Sequence, residues 1–226
     1  MPTLFHYPLC PHSRFVRLIL AEYGIDVQLI EERPNERRAE LLELDPSGRL
    51  PLFIDDDATI VPGWYAISEY LDETRGAAAG AYRLLPETPI ERVETRRLVD
   101  WFNGKFFEEV TNWLVTEKIY KRFGAGSAPD MDVVRVARAN IRPHMRYIGY
   151  LTGARRWLAG DRLTYADFAA AAHISCADYL GDAPWEESEA AKFWYQKIKS
   201  RPAFRPLLAE RAPGMTPGPV YAEIDF

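Results

Sequence analysis

A single thiol sits where the start of this chain turns from an apolar run into a helical pattern. In Pro8-Leu9-Cys10-Pro11-His12-Ser13-Arg14 the cysteine lies between Thr3–Tyr7 and the helical spacing of Ser13–Tyr23. A helix start presents unpaired N–H groups and partial positive charge, which favours a thiolate over a thiol and suits redox or thiol-transfer chemistry. Two side chains there can do such chemistry. Cys10 can form a mixed disulfide with a small thiol, with no second cysteine in the turn to resolve it. Ser13 can instead hydrogen-bond a thiolate brought by a cosubstrate. Each also has a plain structural use, Ser13 as a helix cap and Cys10 as a small buried filler. His12 beside them reads as a polar turn residue.

The elements that must hold this turn alternate in type over residues 1–76. A strand (Thr3–Tyr7) precedes a helix (Ser13–Tyr23) that ends at Gly24, the residue that most readily takes a left-handed cap. A second strand (Val27–Glu31) follows, then a helix (Glu36–Leu44) that Asn35 can cap. Strands at Leu50–Ile54 and Thr59–Val61 flank Asp55-Asp56-Asp57, which reads as a hairpin turn, and a helix runs from Trp64 to Thr74. This β-α-β-α-β-β-α order predicts a compact α/β domain with a mixed sheet. Residues 77–89, rich in Ala, Gly and Pro, read as a linker.

Residues 90–211 show only helical spacing, in segments Ile90–Phe123, Met131–Gly153, Thr164–Tyr179, Glu187–Lys199 and Ala203–Arg211. Thr164-Tyr165-Ala166-Asp167 is a capping box, in which two side chains satisfy backbone donors at the start of an apolar helix. Residues 212–226 form an extended tail with three prolines and two glycines.

Composition limits the function. The 226 residues are 47% hydrophobic and carry a net charge of −5, enough apolar content for cores and without the basic face that general nucleic-acid binding needs. No stretch approaches the ~20 apolar residues of a membrane span, and the N-terminus lacks a signal-peptide pattern. Two cysteines are too few for a disulfide framework, so a reducing cytoplasm is the expected setting. No metal site and no resident cofactor are expected.

Taken together, Cys10-Pro11-x-Ser13, Gly48-Arg49-Leu50-Pro51-Leu52, Ala66-Ile67-x-x-Tyr70-Leu71 and Gly160…Thr164-x-x-Asp167 resemble the cytosolic glutathione S-transferase superfamily over nearly the whole chain. The resemblance implies a thioredoxin-like domain, an all-helical domain and a homodimer. It also implies a cis bond before Pro51 that presents the Leu50 N–H and C=O to the cysteinyl part of glutathione. At the next expected contact the chain departs from the family. An acid or amide followed by Ser usually precedes the Ala-Ile-x-x-Tyr-Leu helix and holds the γ-glutamyl group. Here Gly63-Trp64 stands in that place. Gly63 offers no carboxylate, and Trp64 replaces a hydroxyl with a large ring. Weak or absent glutathione binding is expected.

The tail ends Tyr221-Ala222-Glu223-Ile224-Asp225-Phe226, alternating apolar and acidic side chains. Such a tail docks either on its own helical domain or on a partner, with Tyr221, Glu223, Asp225 and Phe226 as the contacts. Together with Trp194-Tyr195-x-x-Ile198-Lys199-Ser200-Arg201-Pro202 and Asp178-Tyr179-Leu180-Gly181-Asp182, it resembles a narrower group of transferase-like proteins that bind FtsZ, the filament of the bacterial division ring. That resemblance implies a non-catalytic regulator at the division site. The alternative is a working transferase or thiol reductase that joins glutathione to small electrophiles through Cys10 or Ser13.

Overall fold

A computed structural model of the chain describes residues 1–33, 36 and 38–226. β1 (Thr3–His6) takes the centre of a four-stranded sheet of order β2-β1-β3-β4, parallel to β2 (Gln28–Glu31) and antiparallel to β3 (Leu52–Ile54). β4 (Ile60–Pro62) completes the hairpin across the Asp55–Asp57 turn. Leu4 pairs with Leu29 on one side and Phe53 on the other. This places the most apolar residues of β1 and β3 in the core.

Helix α1 (Pro11–Glu22) covers this sheet with Phe15, Val16, Leu18 and Ile19, all buried. α2 (Ala39–Leu44) is shorter than the spacing predicts and begins after Arg38, which is tied to Glu32. Asn35, the expected cap, lies outside the described residues. α3 (Trp64–Leu71) runs through a π-helical turn (Asp72–Gly76) into the short α4 (Ala77–Ala79) and a 3-10 turn (Gly80–Tyr82).

The segment read as a linker is a packed strap. Leu84 and Leu85 are buried, and Arg83 pairs with the buried Asp72. The Leu84 N–H donates to the Tyr23 hydroxyl (3.1 Å), and its C=O accepts from the Tyr165 N–H (3.1 Å). Two adjacent leucines outweigh the surrounding Gly and Ala because leaving them in water would forfeit about 1.5–3 kcal/mol each.

The helical part begins with α5 (Pro89–Asp100), capped by Thr88. It continues as one rod through a π-helical stretch (Trp101–Thr111), α6 (Asn112–Val115) and a second π-helical stretch (Thr116–Ala125). The expected single helix is therefore continuous, with altered hydrogen bonding along most of it. α7 (Met131–Ala154) starts at Asp130, whose carboxylate accepts from the Asp132 N–H. α8 (Tyr165–Tyr179) is buried along its whole length, as its Ala-rich, apolar-all-round sequence requires. Its capping box forms as the sequence predicts. Asp167 there also accepts from the Leu158 N–H and the Trp194 indole. α9 (Glu189–Lys199) and α10 (Arg205–Ala209) complete the core, and α1 packs directly on α8. No described helix is long and apolar enough to cross a membrane.

Candidate functional site

The turn that opens α1 is built from backbone. The Cys10 N–H donates to the Tyr7 C=O (3.0 Å), and the Arg14 N–H donates to the Cys10 C=O (3.0 Å). Cys10 is thus the N-cap of α1, ahead of a proline whose missing N–H costs the first helical turn nothing. Only 8% of Cys10 is exposed. Burial pushes its thiol upward from the ordinary value, while hydrogen bonds from Ser13 and His12 and the Arg14 charge pull it down without winning. This corrects the thiolate expected from helix position alone, because desolvation disfavours the charged form more than the helix end favours it. Ser13 is fully buried, and its hydroxyl accepts the Tyr7 N–H (3.3 Å), which turns it back toward the sheet.

His12 is a wall residue and not the surface turn residue its position suggests. Its Nε2–H donates to the Asn103 C=O (2.9 Å). The ring stacks on Trp64 (centroids 5.7 Å, planes 19° apart) and tilts against Phe107 (4.5 Å). Desolvation lowers its pKa to about 4. Trp64 is therefore held in an aromatic stack at the start of α3. Gly63, at φ 82°, is the N-cap and offers no side-chain acceptor. The Leu50–Pro51 bond is cis, and the Pro51 C=O accepts the Gly63 N–H (2.9 Å). Among the described residues no hydrogen bond is made to the Leu50 N–H or C=O.

These pieces border one cleft of about 640 Å³ between sheet domain and helical rod. Cys10, Leu50, Gly63 and Trp64 line one side, and Phe107, Asn112, Val115 and Tyr120 line the other. Arg49 stands exposed at its edge.

The tail forms the second candidate region. Tyr221 is completely buried, its hydroxyl donating to the Leu207 C=O (2.6 Å) and its ring meeting Tyr179 edge-on (5.0 Å). The Gly218 N–H donates to the Tyr179 C=O (2.8 Å). The buried Lys199 Nζ donates to the Val220 C=O (2.9 Å). At the end of the chain, Gln196 donates to the Phe226 C=O (3.0 Å), and the Phe226 ring packs edge-on against Trp185 (4.8 Å). Tyr221 thus anchors the tail to its own helices and has no face left for a partner. Phe226 is half-buried in the same way, while Glu223, Ile224 and Asp225 point outward.

Turn and tail meet at a group the sequence reading missed. Arg14 is fully buried. It donates to the Pro8 C=O (2.7 Å), the Ser175 hydroxyl (2.8 Å) and Glu210 (3.0 Å), and it lies 5.8 Å from the centre of the Tyr221 ring. Arg17 also pairs with Glu210. Two arginines, Arg14 and Arg17, flanking the Phe15-Val16 pair at the start of an apolar helix were the available signal, since a buried cation needs a partner elsewhere in the chain.

Comparison with known proteins follows this geometry. Models of the glutathione S-transferase N-terminal and C-terminal domains match residues 4–79 and 133–202. The chain is 44% identical over 227 aligned residues to the FtsZ-localized protein A of Caulobacter vibrioides, covering 99% of this chain and 98% of that one. The crystal structure of a glutathione S-transferase from Sinorhizobium meliloti superposes with a TM-score of 0.97 at 52% identity, over the whole of both chains. The structure of FzlA from C. crescentus gives 0.94 at 43% identity, over 100% of this chain and 99% of that one.

Proposed function

This chain belongs to the glutathione S-transferase superfamily, and from that premise we propose that it uses the transferase fold to bind FtsZ filaments and regulate bacterial cell division. The observation that carries this reading is the full-length similarity, at 44% identity, to a protein named for its localisation with FtsZ. The site is in keeping with it. The backbone at Leu50 suits the cysteinyl part of glutathione, but Gly63 and Trp64 supply neither the acid nor the hydroxyl for the γ-glutamyl end. Losing two such contacts removes several kcal/mol, a large share of a micromolar-to-millimolar affinity. In this reading the protein is a homodimer that works in the cytoplasm at the division site, and Glu223 and Asp225 meet the filament.

Sedimentation tests it. The protein should pellet with FtsZ polymerised in GTP and stay in the supernatant without polymer. Equal recovery in the two supernatants refutes the reading.

A second reading rests on the openness of the cleft, which at about 640 Å³ leaves room for a thiol cosubstrate beside Cys10. It requires measurable heat when millimolar glutathione is titrated in, and turnover of an electrophile. Absence of both removes it.

A further inference from the structure

We propose that the partner-binding surface is composite, formed by the tail end and the outer face of α9 together, with Phe193 as its apolar anchor. This rests on the filament-binding reading above. Phe193 is 65% exposed, and Ile224 in the tail is 41% exposed. α9 carries the end of the chain. The Lys192 ammonium lies 5.3 Å from the centre of the Phe226 ring, and Gln196 donates to the Phe226 C=O. Phe193 follows Lys192 and precedes Gln196 by one turn, so it stands beside the docked tail on the solvent side. Glu189 lies one turn further back on the same face and is exposed.

The patch has a definite chemistry. Its apolar side chains are the exposed Phe193 and Ile224 and the half-buried Phe226. Glu189 on α9 and Glu223 and Asp225 in the tail are exposed acids on the same two segments, and none of these three side chains is in an ion pair among the described residues. Two ammonium groups lie over the Phe226 ring, the buried Lys199 (4.6 Å), which is already used by Asp178 and Val220, and the half-buried Lys192 (5.3 Å). Lys197, one turn after Phe193, donates to the Arg156 C=O and lies over the Trp157 ring. Exposed apolar side chains interspersed with unpaired acids fit a segment that presents an apolar side chain flanked by Lys or Arg, the acids guiding the encounter and the aromatic, desolvated on binding, holding it. The buried Tyr221 fixes the tail, so these groups are preorganised, which lowers the ordering cost of binding.

The test is sedimentation with GTP-polymerised FtsZ for wild type, Phe193→Ser, Glu189→Lys, Asp225→Lys and, as a control at an exposed aromatic elsewhere, Tyr82→Ser. Thermal melts of Phe193→Ser and Tyr82→Ser should match wild type, since both side chains are in water. Phe193→Ser should need about tenfold more FtsZ for half-saturation, as expected of an interface hot spot. Glu189→Lys and Asp225→Lys should weaken binding most at low salt, and Tyr82→Ser should bind as wild type. Normal pelleting of Phe193→Ser and Glu189→Lys beside a defective Asp225→Lys overturns the composite surface and leaves the tail alone as the contact. Failure of wild type to pellet overturns the filament reading itself, and the surface with it.

Discussion

Gly218→Ala should loosen the tail, and the size of the effect follows from its surroundings. A Cβ at residue 218 would lie 2.3 Å from the Asp178 C=O oxygen and 3.1 Å from the Gly181 Cα and N, all backbone atoms. The first distance is about 1 Å or more short of ordinary contact, and backbone atoms at the end of α8 cannot rotate out of the way as a side chain could. Accommodating a methyl in such a place costs about 1–3 kcal/mol. The alternative is release of the tail, which gives up the burial of Tyr221, about 1.5–3 kcal/mol, and its hydrogen bond to Leu207, about 1 kcal/mol. The two routes overlap at about 2.5–3 kcal/mol, or a melting temperature lowered by about 5–12 °C at the sensitivity of a chain this long. Thermal unfolding followed by circular dichroism measures the shift, and limited proteolysis shows whether cleavage after Gly218 accelerates. A melting temperature within about 1 °C of wild type, with an unchanged cleavage pattern, would refute the packing argument.

Two further outcomes follow from buried titrating groups. All four histidines are shifted down, chiefly by desolvation: His6 to about 3, His12 to about 4, and His144 and His173 in the same direction. Between about pH 6.5 and pH 4 the unfolded chain therefore binds protons that the folded chain refuses. The stability they contribute is complete above pH 6.5 and is lost as pH falls through this window, by about 1.4 kcal/mol per pH unit for each fully shifted histidine. The urea midpoint should be clearly lower at pH 5 than at pH 7, and an equal or higher value contradicts the burial account. Native Cys10 should react with iodoacetamide far more slowly than free cysteine at neutral pH, because its thiol is both raised and shielded. Cys176, pushed up to about 12, should be silent as well, and both should react in urea. One thiol labelling at the free rate in the native protein would restore the activated cysteine.

Much of this molecule is legible in its sequence where local chemistry decides the outcome. Gly24 and the capping box at Thr164 mark helix ends correctly because each acts within a few residues of itself. The cis bond at Pro51 follows from the resemblance carried by Gly48-Arg49-Leu50-Pro51. Departures arise where solvation and long-range packing decide. Cys10 sits at a helix start as expected, yet the sequence does not show that Leu9, Val115 and Ile119 would pack around it and remove the water a thiolate needs. Leu84 and Leu85 sit in a stretch of linker composition, and it is burial in the folded chain, with Leu84 bonded to Tyr23 and Tyr165, that makes them core. Tyr221 looks like a partner contact until Arg14, Leu207 and Tyr179 surround it. The Gly63-Trp64 departure was visible in the sequence because it concerns which side chains are present. The His12–Trp64 stack was not, since it depends on Asn103, far along the chain, taking the His12 N–H.

The central claim is that this transferase fold serves filament binding, and one sedimentation assay tests it most directly. With FtsZ and GTP the protein should move into the pellet in proportion to polymer, and with FtsZ and GDP it should remain in solution. Identical supernatants in the two conditions, at protein concentrations up to tens of micromolar, would contradict the account.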